Sequence, residues 1–213
     1  MRLEESLRHS MRARSRKELA PEQILHAYAA GFFPMAESRS GPIAWYSPDP
    51  RAIIPLERFK ASRSLRQVER KGEFEVRFNT AFSDVMRECA ARNETWISGE
   101  IMEAYCRLHH MGHAHSVESW QAGRLAGGLY GVALGGAFFG ESMFSHARDS
   151  SKIALWSLVR RLKDRGFLLL DTQFLTPHLA SLGACEISRD EYLLLLQNAL
   201  QVSPRFSEQD ANV

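Results

Sequence analysis

The stretch that decides the fold reads D-S-S-K-I-A-L-W-S-L-V-R-R-L-K-D-R-G-F-L-L-L-D-T-Q, residues 149–173. Apolar side chains recur at helical spacing from Ile153 to Leu162, which predicts a helix with one wide apolar face. Gly166 is suited to end that helix, and the apolar run Phe167–Asp171 is typical of a buried strand. The stretch therefore predicts a helix that leads directly into a further strand of a sheet.

Three strands are predicted immediately before this helix. Residues 116–122, 125–134 and 137–145 alternate or are continuously apolar, and glycine-containing turns separate them, which predicts an antiparallel meander. A meander joined through a helix to another strand indicates an α/β (α+β) protein with a mixed, mostly antiparallel sheet flanked by helices. The sequence also predicts helices over 21–30, 62–71, 80–91, 99–111 and 189–200 and a strand over 74–78.

Composition and length indicate an ordinary soluble chain. Its 213 residues can bury a substantial core, and its longest apolar runs fall far short of the ~20 residues that span a bilayer. The basic N-terminus has no apolar signal-peptide core behind it, so we expect a cytoplasmic protein without a membrane contact. Three widely spaced cysteines without a CxxC pair predict neither a disulfide framework nor a zinc site.

The charge is unevenly distributed along the chain. Residues 1–72 carry fourteen Lys and Arg and eight Asp and Glu, a net charge of +6, whereas residues 73–213 carry −4. The excess lies in an Arg-rich N-terminal tail and in a predicted basic helix. Such a distribution fits either a polyanion bound at one end of the molecule or simply solvated surfaces. The basic helix carries Arg63, Arg66, Arg70 and Lys71.

Two motifs raise cofactor hypotheses that their spacing does not support. Four histidines lie within residues 109–115, but they straddle a predicted helix end and no carboxylate completes an HExxH arrangement, so structural roles are favoured over a metal site. The glycine-rich run at 127–136 lies between strands and lacks the spacing of a phosphate loop, so ATP or NAD binding is not expected. Glycines within strands do indicate close approach of a ligand or of another backbone.

Three polar residues on apolar strands are the candidates for chemistry. Asp171 and Gln173 are two residues apart, so on an extended chain both side chains are expected on one face, at a strand end where α/β sheets present ligands. A carboxylate beside an amide is suited to orienting an amine and holding a carbonyl. Glu141 follows the apolar run at 137–139, and it fits either a structural ion pair or a substrate-facing carboxylate.

A series of motifs resembles the leucyl/phenylalanyl-tRNA-protein transferase family. The matching segments, in unbroken order over roughly residues 31–196, are W-Y-S-P-D-P-R at 45–51, T-W-I-S at 95–98, A-Y-C-R-L-H-H-M-G-H-A-H-S-V-E-S-W at 104–120, G-G-L-Y-G-V-A at 127–133, F-F-G-E-S-M-F-S at 138–145, S-K-I-A-L at 151–155, L-L-D-T-Q at 169–173 and H-L-A-S-L-G-A-C-E-I-S-R-D-E-Y at 178–192.

The resemblance implies an aminoacyltransferase of the N-degron pathway. Such an enzyme moves Leu or Phe, and less readily Met, from aminoacyl-tRNA to the N-terminal Lys or Arg of an acceptor protein. It needs no cofactor and no metal, because an activated ester is exchanged for an amide. The implied fold is a small N-terminal domain with a basic tail, residues 1–60, and a catalytic domain like the GNAT acyltransferases, residues 61–213; a monomer is expected.

The resemblance also implies roles for individual residues. Asp171 and Gln173 match the catalytic pair, with Asp171 acting through Gln173, and Glu141 matches a carboxylate that favours the basic first residue of the acceptor. Trp96 and Tyr105 match aromatic positions that hold the terminal adenosine of the tRNA, and Met35 stands where the family often has an aromatic residue. The implied amino-acid pocket is lined by Leu129, Phe138, Leu158, Leu162 and Leu170, and the tRNA surface by Arg63, Arg66, Arg70 and Lys71.

Two other functions remain open at this point. An acyl-CoA-dependent GNAT N-acyltransferase would share the fold, but the helix opening A-R-D-S-S-K at 147–152 lacks the family's pyrophosphate loop. A non-catalytic RNA-binding module would explain the basic first third of the chain. It would give no reason for Asp171, Gln173 and Glu141 to lie on apolar strands.

Overall fold

The structure is a computed structural model that describes residues 19–92 and 95–207. The Arg-rich tail that the sequence singles out lies outside these residues. The helices are α1 (Pro21–Ala29), α2 (Arg63–Arg70), α3 (Phe82–Ala90), α4 (Gly99–His110), α5 (Ser150–Arg165), α6 (Pro177–Ser181) and α7 (Arg189–Ala199), with a 3-10 turn at Leu56–Arg58. The strands are β1 (Phe33–Ala36), β2 (Ile43–Tyr46), β3 (Arg51–Ile53), β4 (Glu75–Phe78), β5 (Ala114–Gln121), β6 (Arg124–Leu134), β7 (Ala137–Ser145), β8 (Leu169–Gln173) and β9 (Cys185–Ile187).

The described strands form a seven-stranded sheet in the order β4-β5-β6-β7-β8-β3-β9 and a separate β1-β2 hairpin. All neighbours in the large sheet are antiparallel except β7 and β8, which α5 connects as a parallel pair. The predicted meander is β5-β6-β7, and the predicted helix and strand of residues 149–173 are α5 and β8. The mixed, mostly antiparallel sheet flanked by helices is therefore confirmed.

Alternation along the central strands builds a separate core on each face of the sheet. Phe138 and Leu170 belong to the cluster beneath α5, whereas their neighbours Phe139 and Leu169 belong to the cluster beneath α1, α3 and α4. Successive side chains of a strand point to opposite faces, so a continuously apolar strand is covered by helices on both sides. Asp171 follows Leu169 on the face opposite to α5.

The glycines of β6 serve the packing of the protein itself. A Cβ at Gly131 would collide with the carbonyl oxygen of Phe139 and the ring of Phe138, and one at Gly127 would collide with Ser150. The sequence left open whether these glycines admit a ligand or neighbouring protein atoms. At Gly127 and Gly131 it is neighbouring protein atoms that require the glycine.

The first sixty residues contribute directly to the large sheet. Strand β3, at Arg51–Ile53, lies between β8 and β9, antiparallel to both. Sequence reasoning did not find this strand, because three residues next to prolines carry no periodic signal. The expected domain boundary at residue 60 stays a prediction, and the segment just before it forms an integral strand of the sheet.

The histidine group has structural contacts in the folded chain. His109 stacks on Phe82 and its Nδ1 lies 2.8 Å from the oxygen of Ala114, while His115 stacks on Phe206. Among the described residues, no group of three or more His, Cys, Asp or Glu side chains is arranged to hold a metal ion. No helix within residues 19–92 and 95–207 is both long and apolar enough to cross a membrane.

Candidate functional site

The candidate site opens where the parallel strands β7 and β8 separate. Their pairing runs from Ala137 with Leu169 to Phe139 with Asp171 and stops there. Beyond that point, β7 contributes residues 140–143 and β8 contributes residues 172–173 to the wall of a cavity of about 560 Å³. The end of a parallel strand pair in an open sheet is a common location for ligands, and here the gap between the strands is the site.

Most of the cavity wall is apolar. Side chains from β7, α5, β8 and α6 meet there with aromatic residues of the N-terminal part of the chain. Polar side chains of β7 and β8 also line the cavity. The lining residues are Phe33, Met35, Arg92, Trp96, Leu129, Tyr130, Gly140, Glu141, Ser142, Met143, Leu155, Leu158, Leu170, Thr172, Gln173, Phe174, Thr176, His178 and Leu179.

Asp171 is fully buried and both of its oxygens are occupied. Oδ1 accepts hydrogen bonds from Arg51 Nε at 3.0 Å and from the Gln173 backbone N–H at 2.9 Å. Oδ2 accepts from Arg51 Nη2 at 2.6 Å and from the Tyr192 hydroxyl at 2.8 Å. This carboxylate does not line the cavity, so it touches no ligand there.

Arg51 holds its charge in this buried position. Its guanidinium also donates to the Gly31 carbonyl at 3.2 Å and lies 4.8 Å from the Phe33 ring centroid and 4.4 Å from that of Tyr192. Burial is the strongest influence and opposes the charged form, but the charge and hydrogen bonds of Asp171 together with Tyr192 outweigh it, so the pKa of Arg51 lies above its ordinary value. Arg51 therefore remains a cation paired with Asp171.

Gln173 leaves the regular strand geometry. Its φ of 58° lies in the left-handed region, which a non-glycine residue adopts only when its surroundings impose it. The hydrogen bond from its N–H to Asp171 fixes that backbone, and its side chain lines the cavity. Asp171 therefore points into the core, and of the two residues only Gln173 lines the site. That their side chains share one face of the strand stays a prediction.

Glu141 is the carboxylate that borders the cavity. Its Oε1 accepts from the Tyr28 hydroxyl at 2.6 Å and from Gln173 Nε2 at 3.2 Å, and the Tyr105 hydroxyl donates to Oε2 at 3.4 Å. Burial raises the pKa of Glu141 to about 8, against the Tyr28 hydrogen bond, and the negative charge of Asp171 adds to the increase. Near neutral pH the free site therefore holds Glu141 mainly in its neutral form.

The structure brings most of the expected binding residues to the cavity. Trp96 and Met35 lie in its wall, as do Leu129, Leu158 and Leu170. Leu155, Phe174 and Leu179 are additional lining residues that sequence reasoning missed, although Leu155 follows from the apolar face of α5.

Three expected binding residues lie elsewhere. Phe138 is fully buried and stacks on Phe206, and Leu162 is buried one turn beyond Leu158 along α5, away from the cavity. Tyr105 has no exposed surface, so its ring cannot stack on an adenosine in this structure. Its hydroxyl instead lies 2.5 Å from that of Tyr28 and supports Glu141.

Sequence reasoning missed the partners of the polar centre. Arg51, Tyr28 and Tyr192 come from β3, α1 and α7, far from Asp171 and Glu141 along the chain. For Arg51 a weak signal exists, because an arginine directly before the apolar run A-I-I requires a buried partner. Tyr28 and Tyr192 lie at apolar helix positions and carry no separate signal.

The predicted basic helix is α2. Ser62 accepts a hydrogen bond from the Leu65 N–H at 3.1 Å and caps its start, and Leu65 anchors the helix to the core. Its opposite side is exposed and carries a shallow groove lined by Arg63, Arg66, Gln67, Arg70 and Lys71.

Comparison with known proteins identifies the family. Residues 53–197 match the model described as "Leucyl/phenylalanyl-tRNA protein transferase", and residues 17–49 match that of its N-terminal domain. A protein of Herpetosiphon aurantiacus named leucyl/phenylalanyl-tRNA–protein transferase is 58% identical over 89% of this chain and 99% of its own length. Relatives of the same name from Chlorobaculum parvum and Ruegeria pomeroyi are 56% and 55% identical, over 84% and 89% of this chain and 94% and 90% of theirs.

One solved structure, titled "The structure of L-PGS from Bacillus licheniformis", matches 75% of this chain and 55% of its own at 15% identity, with a TM-score of 0.38. The sequence relatives, by contrast, are matched over nearly their whole length at more than half identity. The resemblance noted in the motifs is thereby confirmed, and the chain belongs to the leucyl/phenylalanyl-tRNA–protein transferase family.

Proposed function

We propose that this protein transfers Leu or Phe, and less readily Met, from aminoacyl-tRNA to the α-amine of proteins that begin with Lys or Arg. The product would carry a new N-terminal residue that marks it for degradation by the N-degron pathway. The enzyme acts in the cytoplasm as a monomer, without a cofactor.

The observation that carries this proposal is an apolar cavity that ends at an amide and a carboxylate, in a chain of this family. Leu129, Leu158 and Leu170 offer a Leu or Phe side chain an apolar environment worth about 1.5–3 kcal/mol on full burial. Gln173 and Glu141 border the same space. An aminoacyl ester with its side chain in the apolar part would bring its carbonyl toward these two polar groups.

The transfer needs positioning and proton handling more than a reactive side chain. The neutral α-amine of the acceptor attacks the ester carbonyl, a C–N bond forms, the C–O bond to the ribose breaks, and one proton of the amine passes to the leaving ribose oxygen. The Gln173 amide can donate a hydrogen bond to the carbonyl oxygen as negative charge develops there.

Asp171 contributes by positioning Gln173. Its oxygens are filled by Arg51, Tyr192 and the Gln173 N–H, so it acts through the backbone of Gln173 and not on the substrate. Trp96 and Met35 supply a flat ring and a flexible thioether in the cavity wall, suited to stacking against the terminal adenosine.

The function itself is tested by offering labelled Leu-tRNA to three otherwise identical acceptors that begin with Arg, Lys or Ala. We expect label on the Arg and Lys acceptors only. Absence of label from all three, with the aminoacyl-tRNA intact, would refute the proposal, and equal label on all three would refute the acceptor preference.

Replacement of the catalytic amide gives the second prediction. Gln173→Asn keeps an amide and tolerates the left-handed backbone, but its shorter side chain withdraws the donor from the cavity. We expect kcat to fall by about 10²–10³-fold, with the KM for aminoacyl-tRNA nearly unchanged.

The matched comparison is Asp171→Ala, which leaves Arg51 buried without its partner and is expected to cost about 3–5 kcal/mol of folding stability. Activity lost in Asp171→Ala but fully retained in Gln173→Asn would mean that Asp171 is needed for folding alone and that Gln173 has no catalytic role.

The raised pKa of Glu141 gives a pH prediction. The carboxyl ionises as the pH rises through about 8, so a cationic first residue should be bound better at pH 8.5 than at pH 6.5. The ratio of kcat/KM for Arg-beginning over norleucine-beginning acceptors should therefore increase with pH in the wild type. Titration of the α-amine affects both acceptors alike and cancels in the ratio.

Glu141→Gln is the control for this prediction, because it mimics the neutral carboxyl at every pH. Its ratio should be flat and low. Folding of the variant is checked at pH 8, where its stability should equal or exceed that of the wild type, since a carboxyl with a raised pKa destabilises the folded state above its unfolded pKa. A ratio that rises equally in the variant would show that another group recognises the acceptor.

The basic helix α2 gives the fourth prediction. Replacing Arg63, Arg66, Arg70 and Lys71 by Gln should weaken tRNA binding and reduce the slope of log K against log salt by up to about 0.9 for each phosphate that is no longer neutralised. Gln substitutions at the exposed Arg87 and Arg124 serve as controls. An unchanged slope in the α2 variant would leave α2 as an ordinary solvated helix.

A further inference from the structure

A second concave surface adjoins the cavity at the amino end of α5. It encloses about 610 Å³ and is lined by Glu88, Ala91, Arg92, Met143, Phe144, Ser145, His146, Arg148, Asp149, Ser151, Lys152 and His178; we name it the flanking groove. Arg92, Met143 and His178 line both the flanking groove and the cavity. The flanking groove is therefore the neighbouring surface into which a molecule longer than the cavity would extend.

The flanking groove presents positive charge to a ligand. Arg92, Arg148 and Lys152 outnumber Glu88 and Asp149. Both carboxylates already have basic partners. Asp149 accepts from Lys152 Nζ at 2.6 Å, and Glu88 lies 2.7 Å from His146 Nε2.

Arg148 is the cation most available to a ligand. Its side chain is 90% exposed, and its only ion pair among the described residues is a long contact of 3.6 Å with Asp149. A guanidinium in this setting can turn to bind a phosphate by two parallel hydrogen bonds without breaking a short contact.

His178 marks the junction between the two spaces. Its Nε2 is buried and has no hydrogen-bond partner among the described residues. Burial and the nearby Lys152 lower the pKa of His178, so the ring is neutral at pH 7 and has one donor and one acceptor nitrogen. A buried polar atom of this kind is satisfied by a ligand hydroxyl or phosphate oxygen in reach.

We propose that the flanking groove binds the phosphodiester backbone of the donor RNA immediately 5′ of the nucleotide that carries the amino acid. This rests on the proposed function, because the aminoacyl nucleotide must fill the cavity. Its strand has to leave through an opening that adjoins the cavity. The flanking groove adjoins the cavity at Arg92, Met143 and His178, and its excess of cations suits phosphates better than an acceptor with a basic N-terminus.

The test compares a donor without phosphates and a donor that carries them 5′ of the same adenosine. One is an aminoacylated adenosine without phosphates, and the other is an aminoacylated trinucleotide that ends in the same adenosine. Arg148→Gln and Arg148→Glu change an exposed side chain and should not disturb folding. Arg87→Gln, on α3 and outside both spaces, is the matched control; its side chain is 64% exposed and pairs with Asp84.

We expect Arg148→Gln to raise the KM of the trinucleotide donor about 3–10-fold and Arg148→Glu to raise it further. The KM of aminoacyl-adenosine should not change, and Arg87→Gln should behave as the wild type with both donors. The salt slope of trinucleotide binding should fall by about 0.7 when one phosphate is no longer neutralised by the protein.

Equal effects on both donors, or no effect on either, would overturn the proposal. An increase confined to the KM of the acceptor protein would also overturn it, because the flanking groove would then hold the polypeptide. Failure of the proposed function is distinguishable, since the wild type would transfer from neither donor. Binding of the unacylated trinucleotide to wild type and Arg148→Glu would still decide whether the flanking groove binds phosphates.

Discussion

The buried ion pair between Arg51 and Asp171 is the interaction on which the site depends. It joins β3 to β8. Arg51 also donates hydrogen bonds to the Gly31 carbonyl and to the Tyr192 hydroxyl, so four separate segments of the chain meet at this ion pair. A buried pair of charges is stable only when every hydrogen-bonding position is filled. The last position on Asp171 is filled by the N–H of Gln173, and through it the pair fixes the left-handed backbone at the cavity wall.

The separation of β7 from β8 explains why the amide and the carboxylate face the same space. While the two strands are paired, their backbone groups satisfy each other and leave no opening. After Asp171 the pairing stops, and Gln173 reaches across the gap to Glu141 by a side-chain hydrogen bond of 3.2 Å. The Gln173 amide nitrogen carries two N–H donors, so one can be held by Glu141 while the other is directed to a ligand in the cavity.

The sequence predicted the long periodic elements and the polar side chains on them, and it failed where contacts are distant or strands are short. The meander, α5 and β8 follow from apolar spacing, and Glu141, Asp171 and Gln173 stand out because they are polar on apolar strands. Arg51 lies 120 residues before Asp171, in a strand of three residues, and only the folded chain brings the two together. Phe138 and Leu162 were assigned to the pocket by resemblance. A resemblance matches positions in the sequence, but it does not show how far the cavity of this chain extends.

The ionisable carboxyl of Glu141 lowers the folding stability of the protein at high pH. A carboxyl surrounded by Tyr28, Tyr105 and Gln173 destabilises the fold when it ionises, since burial raises its pKa to about 8. A glutamine would hydrogen-bond there without this penalty. On the proposed function the ionisable group has a use, because a cation that enters the cavity would stabilise the carboxylate that the empty site disfavours. On the proposed function, this arrangement would couple binding of a positively charged acceptor to loss of a proton from Glu141, and it would leave the apolar wall of the unoccupied cavity to the side chain of the donor.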